Sequence, residues 1–171
     1  MDDNALKLVK EGLLKAMKAE REGQFFYLMA AKSTEDTKGR EVFNRLAAEE
    51  ADHFNYLKGQ YQAVLKTGEI DANIKLGAPL SLDGASPIFS DNIKTRIKDA
   101  HYEMTALSVA IQLEFDASKF YKDQAEFVDD IAAKTLYLEL AAWETGHYRA
   151  LLAQSDMLKE DYWQEGGFAP F

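Results

Sequence analysis

The 171-residue chain has the length of one domain rather than two, and a globular chain of this size buries roughly 70% of the surface it exposes when unfolded. It has no cysteine, which excludes disulfides, thiolate zinc sites and iron–sulfur clusters. A formal charge of -9 and a pI of about 4.9 argue against nucleic acid and anionic membranes as partners, because both need a basic face.

The N-terminal segment MDDNALKLVK has neither a basic n-region nor an apolar h-region, so no signal peptide is expected. No run of about 20 apolar residues is present, so no membrane span is expected and the cytoplasm is the expected location. Leu6, Val9, Leu13, Met17, Phe25, Leu28 and Met29 recur at helical spacing and predict a first helix over about 4–34. Ser33 to Gly39 reads as a polar turn, and Val42, Phe43, Leu46, Phe54, Leu57, Tyr61 and Leu65 mark a second helix over about 40–66. From Thr67 to Ser90 the periodicity stops and Gly68, Gly77, Pro79, Gly84 and Pro87 accumulate, so 67–90 is a connector. Ser90, Asp91 and Asn92 are good N-caps for a third helix over about 92–126. A fourth covers about 129–158, and 159–171 is a short aromatic tail with Tyr162, Trp163, Phe168 and Phe171.

A connector of about 24 residues reaches about 80 Å when extended, and a helix of about 27 residues is about 40 Å long. The connector can therefore run the full length of a bundle. Two helical hairpins joined by one long crossover is the topology of an all-α, ferritin-like four-helix bundle, here expected to be one domain over 1–171.

The strongest feature is an internal repeat with an offset of 94 residues. Ala16, Glu20, Phe26, Tyr27 and Ala31 recur as Ala110, Glu114, Phe120, Tyr121 and Ala125. Leu46, Ala47, Ala48, Glu50, His53 and Leu57 recur as Leu140, Ala141, Ala142, Glu144, His147 and Leu151. One offset serves both helices of each hairpin, so a pseudo-two-fold axis is expected between two equivalent halves.

Glu50 and His53 are three residues apart, as are Glu144 and His147, which puts each pair on one helix face. A single Glu-x-x-His on a helix is as a rule a solvated pair. Two of them, in register with Glu20 and Glu114 and flanked by leucines, predict a set that faces the core. Unpaired buried charges cost several kcal/mol each. Two divalent cations would neutralise the four carboxylates, with one terminal Glu and one His on each metal and two bridging Glu. Glu20 and Glu114 are the expected terminal ligands, Glu50 and Glu144 the expected bridges. Imidazole with carboxylate oxygen suits iron or manganese, and zinc is possible.

Tyr27 and Tyr121 follow the terminal Glu by nearly two turns and share their faces. They read either as groups that hold the ligands in place or as ordinary buried tyrosines with satisfied hydroxyls. Gly23 and Ala117, three residues after each terminal Glu, leave room for water, oxygen or peroxide, or else serve close helix packing. His101 lies outside the repeat motif, with Lys7 at its equivalent place, and reads as a surface histidine.

The segments AEREGQFFY, AAEEADHFNYL, LEFDASKFY and AAWETGHYRAL resemble the ligand helices of the rubrerythrin and bacterioferritin branch of the ferritin-like superfamily, over about residues 4–158. Di-iron four-helix bundles of that superfamily share this constellation of Glu and Glu-x-x-His ligands. The resemblance implies two irons and an oxidoreductase that reacts with hydrogen peroxide or dioxygen. Rubrerythrins usually carry a rubredoxin module, and its absence here implies an external electron donor. Ala117 stands where rubrerythrins usually have an extra Glu, which leaves a ligand set closer to that of bacterioferritin. Ala51 stands at the haem-ligand Met of bacterioferritin, and the tail is short for the extra helix of a ferritin cage. A ferroxidase or iron-handling role and a non-catalytic, metal-stabilised bundle are the alternatives. A homodimer is the expected assembly.

Overall fold

The computed structural model describes residues 1–77, 87–95 and 100–166, with the backbone alone for 94, 95 and 161–166. Residues 78–86 of the connector, 96–99 of the third predicted helix and 167–171 of the tail, including Phe168 and Phe171, lie outside the described residues. The described chain is all-helical, with α1 (Asp3–Ser33), α2 (Thr37–Thr67), a single turn α3 (Asn92–Thr95), α4 (His101–Phe127) and α5 (Ile131–Gly166). The four long helices form two hairpins, α1 against α2 and α4 against α5, and α1 also packs on α4. Together they make the four-helix bundle that the sequence predicts.

The helix ends follow the repeat. α1 ends at Ser33 and α4 at Phe127, while α2 begins at Thr37 and α5 at Ile131, each pair separated by the same 94 residues. Asp36 accepts the Gly39 amide at 2.8 Å, and its counterpart Asp130 accepts the Ala133 amide at 2.9 Å. Each satisfies an amide that has no partner in the first turn of a helix. The Asp36 cap is why α2 starts three residues before the predicted Arg40. At the other end of α2, Gly68 adopts φ +75° and closes the helix, a conformation that costs a side-chain-bearing residue strain.

Two larger differences from the sequence reading concern the third and fourth predicted helices. The third predicted helix is divided: α3 is one turn, and Ala100, at φ -82° and ψ 34°, lies outside helical geometry before α4 begins. Ser90 spends its side chain on Asp36 rather than on capping α3. α5 passes the predicted end at 158 and continues to Gly166, because Lys159 and Glu160 are good helix formers and no Gly or Pro intervenes before that residue.

Two apolar clusters divide the core lengthwise. One gathers Val9, Leu13, Leu57, Val64, Tyr121, Leu136, Tyr137 and Leu140. The other gathers Tyr27, Phe43, Leu46, Ile93, Leu107 and Leu151. Each fully buried Leu or Phe contributes roughly 1.5–3 kcal/mol. The start of the connector packs Ile70, Ile74 and Leu76 on the first cluster, and its end buries Ile88 and Phe89 in the second. Its two described ends therefore lie against opposite ends of the bundle. A repeated pair of buried glutamines secures both ends. Gln60 bonds the backbone of Asp71 in both directions at 3.0 Å, and Gln154, at the equivalent place, accepts the Ile88 amide at 2.5 Å. Phe25, Leu28 and Met29, although helically spaced, face outward.

Candidate metal centre

Between the two apolar clusters lies a layer of charge. Glu20 on α1, Glu50 and His53 on α2, Glu114 on α4, and Glu144 and His147 on α5 are all buried, none more than 5% exposed. They fall into two groups whose ligand atoms lie within 4.8 Å of one another: Glu20, Glu50 and His53, and Glu50, Glu114, Glu144 and His147. Glu50 belongs to both. Glu144 also reaches both halves, with Oε1 3.1 Å from His53 Nδ1 and Oε2 3.5 Å from His147 Nδ1. His53 Nδ1 lies 3.2 Å from Glu20 Oε2, and His147 Nδ1 lies 3.5 Å from Glu114 Oε2. The two rings are nearly parallel, 6.3 Å apart.

Several of these atoms are unsatisfied. Both oxygens of Glu144 and Nδ1 of His147 are buried without an aligned hydrogen bond, although charged atoms stand 3.1–3.5 Å away. Buried polar atoms are normally paired, and orphans call for a missing partner. Nδ1 of both rings faces the carboxylate oxygens, as metal-binding nitrogens would. The donor set, four carboxylates and two imidazoles, suits two divalent cations in charge and in chemistry.

The electrostatics point the same way. Burial, followed by repulsion from Glu20, Glu144 and Glu114, holds the Glu50 carboxyl well above the usual carboxylate range. Burial and Glu144 raise Glu114 to about 8 against the pull of His147. Burial lowers the His53 imidazole, but Glu144 and Glu20 more than reverse it and raise it to about 10. His147 is raised well above its ordinary value against burial by Glu114, Glu144 and Glu49. Against burial, His147 and His53 instead hold the Glu144 carboxyl below its ordinary value, so the layer pairs proton-retaining groups with an ionised one.

The tyrosines cross over. Tyr27 on α1 donates to Glu114 on α4, and Tyr121 on α4 donates to Glu20 on α1. Same-face spacing within a helix pairs each Tyr with its own Glu, whereas the structure exchanges them across the pseudo-axis. Burial, then the Glu114 charge for Tyr27 and the Glu20 charge for Tyr121, push both hydroxyls well above their ordinary value, so they remain donors. Gly23 lies beside Glu50, where an added Cβ would stand 3.1 Å from Oε2. Gly23 and Ala117 also line a cavity of about 300 Å³ that reaches Glu20, Glu50, Glu114 and Glu144. Exposed Glu22 and Asp116, equivalent under the repeat, line the same cavity. His101 is exposed at the start of α4 and belongs to neither ligand group.

Two residues of this neighbourhood are absent from the sequence reading. Glu49 is buried and its Oε2 lies 2.5 Å from His147 Nε2. Trp143 makes a T-shaped contact with His53, with ring centroids 5.0 Å apart at 74°. They occupy equivalent places 94 residues apart, so they mark a break in the repeat. A search for repeated residues passes over such a position.

No protein-family model matches the chain, and neither does any curated protein. Among solved structures, the chain is similar to a hypothetical protein from Pyrococcus furiosus, with a TM-score of 0.62 and 24% identity over 89% of this chain and 90% of that one. This likeness concerns the fold alone. No helix among the described residues is long and apolar enough to cross a membrane.

Proposed function

We propose that the chain is a two-metal oxidoreductase of the rubrerythrin-like kind within the ferritin-like superfamily, with iron as the metal. The observation that carries this reading is that Glu50 belongs to both ligand groups while Glu144 faces both histidines. Glu20 with His53 would hold one ion and Glu114 with His147 the other, with Glu50 and Glu144 between them. Bound iron would supply electrons and Lewis acidity toward hydrogen peroxide or dioxygen. The chain's own part is to hold that site. Tyr27 and Tyr121 fix the terminal carboxylates, and Gly23 and Ala117 leave a cavity in which a small oxidant reaches the layer from outside. An external cytoplasmic donor would return the electrons, since the chain has no cysteine for a cluster or rubredoxin centre of its own. Stopped-flow mixing of the ferrous-loaded protein with hydrogen peroxide tests the reading. Oxidation well above the rate of free ferrous iron is expected, and a rate equal to it would end the proposal.

A second reading, a ferroxidase that oxidises ferrous iron as substrate, draws on Glu22 and Asp116 beside the same cavity. Carboxylates there raise the local concentration of cations. Repeated turnover of added ferrous iron under dioxygen, weakened by Glu22→Gln/Asp116→Asn, would favour it over peroxide reduction.

A further inference from the structure

The two histidines present the same face to the carboxylate layer but not to what lies behind them. His147 directs Nδ1 toward Glu114 and Glu144 and gives Nε2 to Glu49 at 2.5 Å. His53 directs Nδ1 toward Glu20 and Glu144, and its Nε2 is buried with no hydrogen-bond partner among the described residues. Trp143, at the place equivalent to Glu49, packs against the imidazole in a T-shaped contact instead, with centroids 5.0 Å apart. An indole offers a donor N–H but no carboxylate or lone pair to accept the imidazole proton.

We infer that Glu49 and Trp143 are positioning residues that make the two metal positions unequal, so that the first ion enters the Glu114/His147 position and the Glu20/His53 position fills second. The inference rests on the two-metal reading above. A carboxylate behind a metal-binding histidine fixes its tautomer, holds the ring and makes the facing nitrogen a stronger donor; losing such a partner typically costs about 10- to 100-fold in affinity. Glu49 does this for His147 and also places a fifth carboxyl group on that side of the layer. His53 has no equivalent, and the proton on its Nε2 has no acceptor once Nδ1 binds metal. The repeat that makes the ligands alike is therefore broken one residue before each bridging Glu. When metal is scarce, the resting protein carries one ion rather than two.

The test is titration of the metal-free full-length protein with cobalt(II), followed by its visible absorption and by calorimetry. Two uptake phases are expected, with affinities about 10- to 100-fold apart. His147→Ala should remove the tighter phase and His53→Ala the weaker one. Glu49→Gln keeps the shape of the side chain but not its charge, and should weaken the tight phase selectively and shift its absorption band. Glu49→Asp should restore part of the difference. Trp143→Glu should strengthen the weak phase toward the tight one. Circular dichroism of each variant shows that the helices persist. Two equal phases in the wild type, or a tight phase that survives Glu49→Gln and disappears in His53→Ala, would overturn the inference and leave the two-metal site standing. No cobalt uptake at all would overturn both.

Discussion

The α1–α2 hairpin and the α4–α5 hairpin end and begin their helices at equivalent residues, cap them with equivalent aspartates and tie the connector with equivalent glutamines. They also contribute equal shares of the charged layer. They part company at Glu49 and Trp143, at Gly23 and Ala117, and at Asp36, which alone of the two caps also holds Ser90. The shared positions are those that a two-fold bundle needs in order to close. The differing ones stand just behind or beside those positions, where the frame tolerates change and the site can be tuned one half at a time.

The largest effect should come from removing what the halves share. Glu50→Ala/Glu144→Ala takes away both bridging carboxylates, and metal content by mass spectrometry should fall from about two ions per chain to near zero. Retention of metal in this variant would show that the shared layer is not where it binds.

A second effect concerns protons in the metal-free protein. Glu114 is raised from its ordinary 4.5 to about 8, and His53 from 6.5 to about 10. In both cases the folded state binds the proton more tightly than the unfolded one. The Glu114 contribution is complete below about 4.5 and fades as pH rises through 8, and that of His53 is complete below about 6.5 and fades through 10. The melting temperature of the metal-free protein should therefore fall between neutral and alkaline pH. The metal-loaded protein should be much flatter there, because cations replace the protons. Equal slopes with and without metal would contradict this.

Smaller effects set one half against the other. Tyr27→Phe and Tyr121→Phe each strip a carboxylate of a hydrogen bond, at a cost of about 1.5–3 kcal/mol in denaturant melts. Equal losses would show that the exchange across the pseudo-axis is symmetric in energy as well as in geometry. Asp36→Ala should cost about 2 kcal/mol and Asp130→Ala about 1, the upper end and the middle of a cap's usual range, since only Asp36 also holds the connector through Ser90.

The frame was legible because it is periodic. Helical spacing gave four long helices, and one offset marked six residues that the structure brings into one buried layer. Polar repeats outside that motif, Asp36 with Asp130 and Gln60 with Gln154, look like surface residues until the fold shows what they bond. The Tyr–Glu exchange was hidden because face arguments work within one helix and these bonds run between helices. Phe25, Leu28 and Met29 have the right spacing but the wrong side, since Gly23, Tyr27, Ala30 and Ala31 take the inward face of α1. Glu49 and Trp143 escaped for the opposite reason to the glutamines, because they are where the repeat fails.

The charged layer separates two apolar clusters that share no buried residue. Without cations the bundle therefore resembles two small cores strung on four long rods, with its weakest turn at midlength rather than at the frayed ends. Amide exchange in the metal-free protein should be fastest around Glu50–His53 and Glu144–His147, inside helices that stay protected on both sides, and metal should close that gap. Loading would then be a zipping of the middle: the ions enter where the rods already open, and their binding makes one cooperative unit out of two.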